Sequence, residues 1–211
     1  MPTGAELFID SLKKLGVSHI CTLVGDHLNE ILQQADRQGL KIYDTRHESA
    51  AVHMADGWAR MTRTPGVSMV TGGPGHTNSI TGIATANATG SPVVTVSGMS
   101  HSALRDRNAF QDMDQLSLVR GITKYAAVPA HAAQIPLYVR RAFTEALTGR
   151  GGATHLSVPV DVFTEQVASH APLPDGPIEV PRPSPDATEL SRVVGLIRQA
   201  ERPVVIAGSG T

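Results

Sequence analysis

Short apolar segments alternate with segments of helical periodicity along most of this chain, and this alternation limits the possible folds more than any other feature. Apolar residues recur at helical spacing in the segments 4–15, 27–37, 48–61, 76–89 and 131–147. The predicted strands lie between them, at 19–24, 41–44, 67–71, 92–97, 122–128 and 154–158. Strand–helix repetition with such apolar strands is typical of a mostly parallel sheet covered on both faces. The sequence therefore predicts an α/β fold of three layers, α/β/α.

The composition changes after residue 165, and this change divides the chain into three predicted parts. We predict one domain over residues 1–165 and a stiff linker over 166–185, a segment rich in proline. The segment 186–211 opens with Asp186 as the N-cap of a predicted helix and continues with a predicted strand over 203–207. One helix and one strand cannot bury a core. We therefore expect 186–211 to be the truncated start of a second α/β domain, and the chain to be a fragment.

Charge and composition exclude several classes of function. The 18 basic and 19 acidic residues give a formal net charge of −1, and aromatic residues make up only 4% of the chain. This balance gives no electrostatic basis for binding nucleic acid or an acidic membrane surface. No apolar stretch of the sequence is long enough to cross a bilayer, and the single cysteine, Cys21, lies in an apolar run. We therefore expect a cytoplasmic protein in which Cys21 is buried and inert.

The first chemical feature is Arg46-His47-Glu48, which lies between a predicted strand and a long predicted helix. Glu48 would occupy the first turn of that helix, where the positive end of the helix dipole favours an acidic side chain. From its position alone, Glu48 is interpreted either as a residue that caps the helix or as a functional carboxylate.

The second feature is a glycine-rich turn, Thr71 to Asn78 (TGGPGHTN), between a predicted strand and a predicted helix. Such a turn lets a ligand approach the backbone closely and directs N–H groups toward it. No Gly-Lys-Ser/Thr follows, so the turn is not a Walker A phosphate loop. A tight turn without a ligand is the alternative. His76 is interpreted as a histidine at the surface or one that supports the site, rather than as an acid–base catalyst.

The third feature is the polar loop Ala109 to Asp114 (AFQDMD), which follows another predicted strand. A loop after a parallel strand lies at the carboxyl edge of the sheet, where the sites of α/β proteins form. A solvated loop with a packed phenylalanine is the alternative. Because all three features follow strands, we expect them to share one edge of the sheet.

Taken in order, these segments resemble the pyrimidine-binding domain of thiamine-diphosphate (ThDP) enzymes of the acetolactate-synthase type. The blocks that carry the resemblance are GVSHICTLVGD, RHESAAVHMADGWAR, TGGPGHTNSITGIATANATGSPVVTVSG, FQDMDQ, ITKYA and HLSVPVDVF. The resemblance covers residues 4–165, and residues 186–211 are similar to the start of the central domain of that family. It implies the fold of the ThDP pyrimidine domain.

The resemblance assigns roles to individual residues. Glu48 matches the glutamate that hydrogen-bonds the pyrimidine ring of ThDP, a contact that favours the tautomer able to remove the proton from C2 of the thiazolium ring. The positions that match the rest of the pyrimidine pocket are Val24, Gly25, Thr71, Pro74, Gly75 and Asn78. Phe110 and Gln111 match a Phe-Gln pair that faces the substrate.

The chain departs from the family pattern in two places. The family often has Val-Pro-Gly-Gly where this chain has Leu23-Val24-Gly25-Asp26, so Val24 and Asp26 differ. His76 stands where acetolactate synthases commonly have alanine. The first of these departures bears on the substrate more than on the cofactor.

The resemblance also implies components that the sequence does not contain. In the family, Mg²⁺ and the diphosphate of ThDP are held by a Gly-Asp-Gly…Asn motif of a C-terminal domain, and no such motif occurs here. No metal ligand is therefore assigned in this chain, and whether the central domain binds FAD or ADP stays open. Because the cofactor of the family lies between two subunits, we expect a homodimer or homotetramer and an isolated chain that is inactive.

The function implied by the resemblance is decarboxylation or condensation of small 2-oxo acids. Lyases or decarboxylases of acyl-CoA compounds and sulfoacetaldehyde acetyltransferase share the motifs and are alternatives. A cofactor-binding subunit of a split decarboxylase, inactive alone, is an alternative of another class. A non-enzymatic nucleotide-binding domain, with Gly208-Ser209-Gly210 opening a Rossmann turn, is the last alternative.

Overall fold

A computed structural model of the chain describes residues 1–181 and 183–208. Within these residues the strands are β1 (His19–Leu23), β2 (Lys41–Asp44), β3 (Gly66–Val70), β4 (Val93–Met99), β5 (Tyr125–Ala127) and β6 (Ala153–Pro159). They form one sheet in the order β2-β1-β3-β4-β6-β5, and every neighbouring pair is parallel. The predicted α/β fold with a parallel sheet is confirmed.

Helices connect the strands and cover both faces of the sheet. They are α1 (Gly4–Lys14), α2 (Asn29–Arg37), α3 (Glu48–Thr62), α4 (Pro74–Thr89), α5 (Gln115–Val119), α6 (Ile135–Leu147), α7 (Val160–Thr164) and α8 (Ala187–Gln199). Two predicted helices, 27–37 and 131–147, begin later than expected, because 3₁₀ turns at Asp26–Leu28 and Ala132–Gln134 precede α2 and α6. None of the helices in the described ranges is long and apolar enough to cross a membrane.

The burial of each strand agrees with its place in the sheet. Every residue of β3, β4 and β6 is buried, as expected for central strands covered on both faces. None of the four residues of the edge strand β2 is buried. The buried hydrophobic residues form two clusters, one including α1, α2 and α6 and the other including α3, α4 and α5. These clusters are the two interfaces of the three-layer fold.

The only cysteine of the sequence, Cys21, lies in β1 and is buried, as predicted. Burial raises the pKa of its thiol to about 11. The thiol is therefore protonated at neutral pH, in agreement with an inert role, because the thiolate is the reactive form.

The chain divides into two compact units, Met1–Ile178 and Glu179–Thr211. The three features predicted to form a site all belong to the first unit. In the second unit, the Asp186 side chain accepts hydrogen bonds from the N–H groups of Thr188 and Glu189 and caps α8, as predicted. The domain boundaries predicted at 165 and 185 stay predictions.

The predicted strand over 203–207 is wrong. The structure forms no strand there, and Val204, Val205 and Ile206 are exposed. A strand needs a neighbouring strand to satisfy its backbone groups, and the described residues of this unit contain none. Residues 209–211, which include most of the predicted Rossmann turn, lie outside the described residues.

Candidate functional site

Glu48 begins α3 directly after the corner that follows β2. Thr45 fixes this corner, because its hydroxyl lies 3.0 Å from the carbonyl oxygens of both Thr22 and His47. The His47 ring then caps α3, since its Nδ1 accepts a hydrogen bond of 3.2 Å from the Ser49 N–H. The interpretation of Glu48 as the cap is therefore wrong, and its carboxylate makes a different contact.

The Glu48 carboxylate contacts α4. Glu48 is 8% exposed, and its Oε2 accepts a hydrogen bond of 3.0 Å from Asn78 Nδ2. The Ser49 hydroxyl joins the same two helices by donating to the Asn78 carbonyl. In the part of the chain that the structure describes, no group hydrogen-bonds the second carboxylate oxygen, Oε1. A carboxyl group held at one oxygen has the other available for a ligand.

Two glycines make room for Thr71 beside Glu48. A Cβ atom on Gly25 would lie 2.5 Å from Thr71 Cβ, and one on Gly75 would lie 2.7 Å from Thr71 Cγ2. The added Cβ on Gly75 would also lie 3.5 Å from Glu48 Oε1. The structure therefore brings together Gly25, Thr71, Gly75 and Glu48 from three separate segments, as predicted from their positions after strands.

The glycine-rich turn follows β3 and begins α4 at Pro74, a residue suited to the first turn of a helix. Gly73 has a φ of 60°, which glycine adopts without strain. A Cβ there would lie 2.7 Å from Gln111 Cβ, so the loop after β4 packs directly on the turn. Glycine at this position therefore serves both the backbone conformation and the close approach of the loop.

Side chains of the protein use the N–H groups of this turn. The Gly72 N–H donates to His27 Nδ1 and the Gly73 N–H donates to Gln115 Oε1, each at 3.2 Å. The expectation that the turn directs these N–H groups toward a ligand is therefore wrong. These two groups do not form an anion cradle.

The loop between β4 and α5 brings one of its two predicted substrate residues to the turn. Gln111 has a φ of 61°, and its Oε1 accepts a hydrogen bond of 3.3 Å from the Thr71 hydroxyl. Phe110 is 70% exposed, so the alternative of a packed phenylalanine is wrong. Val24, predicted in the pyrimidine pocket, is 55% exposed. Packing within this chain therefore fixes neither Phe110 nor Val24.

His76 is fully buried, so its interpretation as a surface histidine is wrong. Its Nε2 lies 2.9 Å from the Gln115 carbonyl oxygen, and its ring centroid lies 4.7 Å from that of His155. Burial lowers the pKa of His76 to about 4, although the contact with Gln115 opposes this shift. The ring is therefore neutral at pH 7, and its contacts agree with the supporting role.

Sequence reasoning missed two residues that organise the site, His27 and Gln115. Both are buried, and each accepts a hydrogen bond from a glycine of the turn. Burial lowers the pKa of His27, and Asp26 partly opposes this shift. The available signal was their place within or next to the blocks that carry the family resemblance. Spacing alone does not show that segments more than 40 residues apart meet at these two side chains.

A cavity of about 580 Å³ adjoins the loop between β4 and α5. Its walls include Met99, Asp112, Gln115 and Val128, but Glu48 is not part of them. The cavity therefore borders the site through Gln115. Within residues 1–181 and 183–208, no group of three or more His, Cys, Asp or Glu side chains is arranged to hold a metal ion.

Comparison with known proteins shows similarity along nearly the whole chain. The family described as "Thiamine pyrophosphate enzyme, N-terminal TPP binding domain" matches residues 2–118, more than half of the chain. A probable acetolactate synthase large subunit of Methanocaldococcus jannaschii is 37% identical. The 2-hydroxyacyl-CoA lyase 2 proteins of Mus musculus and Caenorhabditis elegans are 30% and 33% identical.

The three alignments cover nearly all of this chain but a much smaller share of each relative. Each covers 98% of this chain but only 36%, 38% and 37% of the archaeal, mouse and nematode proteins, respectively. The chain therefore spans less than two fifths of the length of the curated relatives that it matches.

Proposed function

The chain belongs to the thiamine pyrophosphate enzymes and carries their N-terminal TPP binding domain. On this premise, we propose that Glu48 binds and activates the pyrimidine ring of thiamine pyrophosphate, the cofactor called ThDP above. The observation that carries the proposal is the state of the buried Glu48 side chain. Asn78 donates a hydrogen bond to its Oε2, and none of the described residues hydrogen-bonds its Oε1. A carboxyl oxygen serves a ring nitrogen as a hydrogen-bond donor or acceptor, depending on where the proton lies.

Backbone borders one side of the Glu48 carboxylate, because a Cβ on Gly75 would lie 3.5 Å from Glu48 Oε1. In the turn, the N–H groups of Gly72 and Gly73 already donate to side chains, so they are not available to bind a diphosphate. These features support binding of the pyrimidine end of ThDP by Val24, Gly25, Glu48, Thr71, Pro74, Gly75 and Asn78.

Glu48 has a specific chemical task in this proposal. When bound, ThDP supplies a carbon nucleophile and an electron sink for reactions of carbonyl compounds. Glu48 Oε1 holds a proton at the pyrimidine ring nitrogen, which favours the ring form that acts as a base. Asn78 keeps the carboxyl group oriented.

For the whole protein we propose decarboxylation or condensation of small 2-oxo acids, with Phe110 and Gln111 facing the substrate. The similarity to a probable acetolactate synthase large subunit supports this choice. The similarity to 2-hydroxyacyl-CoA lyase 2 supports cleavage of 2-hydroxyacyl-CoA compounds as a second candidate. The place of Gln111, hydrogen-bonded to Thr71 beside the turn, suits a substrate-facing residue in both cases.

We propose that residues 1–165 form the pyrimidine domain, 166–185 a linker and 186–211 the start of a central domain. Mg²⁺ and the diphosphate would be held by a part of the protein beyond this chain, in a homodimer or homotetramer of the cytoplasm. The greater length of the relatives supports the proposal of a further part of the protein. The isolated chain is expected to be inactive.

Replacing Glu48 in the intact enzyme tests the assignment. Glu48→Gln removes the acidic proton while keeping the size of the side chain, and we expect pyruvate consumption with ThDP and Mg²⁺ to fall about 10²–10⁴-fold. Glu30→Gln is the matched control, since Glu30 is an exposed glutamate in the first turn of α2. Both variants should keep the melting temperature of the wild type.

Three outcomes separate the candidates. Full activity of Glu48→Gln would show that the central assignment is wrong. A wild-type enzyme that leaves pyruvate unchanged but cleaves 2-hydroxyacyl-CoA, and loses this activity in Glu48→Gln, would favour the second candidate. Equal losses in Glu30→Gln and Glu48→Gln would mean that the effect is not specific to the site.

A further inference from the structure

Gln115, the first residue of α5, joins the end of β4 to the glycine-rich turn. Its Oε1 accepts a hydrogen bond of 3.2 Å from the Gly73 N–H, and its Nε2 donates one of 3.0 Å to the Gly98 carbonyl. Gln115 is 2% exposed, so water competes little for either bond. One amide group therefore sets the position of the turn relative to the end of the strand.

His76 holds the backbone of the same residue. Its Nε2 lies 2.9 Å from the Gln115 carbonyl oxygen, which only accepts, so Nε2 carries a proton. The fully buried ring packs against His155, whose own nitrogens lie 2.7 Å from the Thr95 hydroxyl and 3.0 Å from the Ser97 hydroxyl. The packing of His76 against His155, which is itself held by Thr95 and Ser97, therefore keeps the donor in place.

The loop between β4 and α5 ends at Gln115 and depends on few contacts with the turn. Gln111 Cβ occupies the space beside Gly73, and Gln111 Oε1 accepts a hydrogen bond from Thr71. Residues 101–108 of the loop are exposed and contribute little packing. The hydrogen bonds of Gln115 therefore have a large influence on where this end of the loop lies.

We propose that Gln115 and His76 are positioning residues that hold the loop with Phe110 and Gln111 against the glycine-rich turn. We call the three hydrogen bonds of Gln115, to Gly73, Gly98 and His76, the Gln115 clasp. All the groups of the clasp belong to this chain. Its consequence for catalysis rests on the proposed function, whereas its effect on the loop does not.

Hydrogen exchange and limited trypsin digestion of the intact enzyme test the clasp directly. Gln115→Met keeps the length of the side chain and removes both of its hydrogen bonds, and His76→Leu removes the third. We expect each change to raise exchange over residues 72–76 and cleavage after Arg105 and Arg107 about tenfold. His76→Gln keeps an N–H donor and should restore much of the wild-type protection.

One control variant and two contradicting results complete the exchange and digestion test. Gln33→Met, at an exposed position of α2, should leave exchange and cleavage unchanged. The proposal fails if Gln115→Met raises exchange equally over the whole sheet, because Gln115 would then contribute only general stability. It also fails if exchange over 72–76 and cleavage of the loop stay at the wild-type level.

Kinetics of the intact enzyme test the catalytic consequence. Gln115→Met should raise KM for the substrate about tenfold, with a smaller change in the ThDP concentration that gives half of the activity. Equal changes in both would contradict a role in placing the substrate-facing loop. An active Glu48→Gln enzyme would defeat the proposed function while leaving the exchange test of the clasp valid.

Discussion

The turn after β3 and the loop after β4 leave the same edge of the sheet, but they are held in different ways. In the turn, Gly72, Gly73 and Gly75 are buried, and a Cβ on any of them would meet another atom within 2.7 Å. In the loop, residues 101–108 are exposed and Phe110 is 70% exposed. Close packing and two hydrogen bonds to buried side chains hold the turn, whereas the loop depends mainly on individual hydrogen bonds.

This difference coincides with the separation between cofactor-binding and substrate-facing residues in the proposed site. Apart from the exposed Val24, the residues proposed to bind the cofactor lie on helix starts and turns next to the core of the unit. The residues proposed to face the substrate lie on a loop, the kind of segment that varies most readily without disturbing a fold. The comparison suggests that a rigid cofactor site is combined with an adaptable substrate site.

The packing of the turn gives the largest expected effect. Gly72→Ala would place a Cβ 2.6 Å from the Gly98 carbonyl oxygen and 2.7 Å from His27 Nδ1, and we expect the free energy of unfolding to fall by about 1–3 kcal/mol. Gly121→Ala is the control, since an added Cβ there meets nothing within 4 Å. Urea unfolding measures both. Equal effects would mean that the turn is no more tightly packed than an open position.

Acid should weaken the region beneath the turn. Burial lowers the pKa of His76 to about 4 and that of His155 well below its usual value, with the two rings facing each other. The unfolded chain therefore binds more protons below pH 6.5, so stability is complete above that pH and is lost as the pH falls toward 4. For His76 the loss from pH 7 to pH 5 is about 2 kcal/mol.

Denaturant unfolding of the wild type and His76→Gln at pH 7 and pH 5 checks this expectation. The variant has one titrating ring fewer, so its free energy of unfolding should change less between the two pH values. The same pH dependence in both proteins would show that protonation of His76 does not drive the loss of stability.

The loop gives the smallest expected change in stability. Phe110→Ala should alter the free energy of unfolding by less than about 0.5 kcal/mol, because the ring is exposed. If Phe110 faces the substrate, kcat/KM of the intact enzyme should still fall about tenfold. Thermal unfolding and steady-state kinetics measure the two effects. A large loss of stability would break the contrast between turn and loop.

Much of the site was predictable because its residues occupy positions with local signatures. Glu48 follows a strand and opens a helix, and Thr71 to Asn78 form a glycine-rich turn between a strand and a helix. The carboxyl ends of parallel strands share one edge of a sheet, so such segments meet. The hydrogen bond between Glu48 and Asn78 is the kind of contact that this rule allows, although the rule does not specify the atoms.

The sequence by itself determined the class of fold, because the periodicity of apolar residues is a local property and parallel strands need helical crossovers. Only the tertiary structure decided that His27 and Gln115 take the N–H groups of the turn, that His76 is buried and that Phe110 is exposed. It also decided that the apolar run 203–207 forms no strand. Each of these outcomes depends on which distant segment lies alongside, and the spacing of residues along one chain does not contain that information.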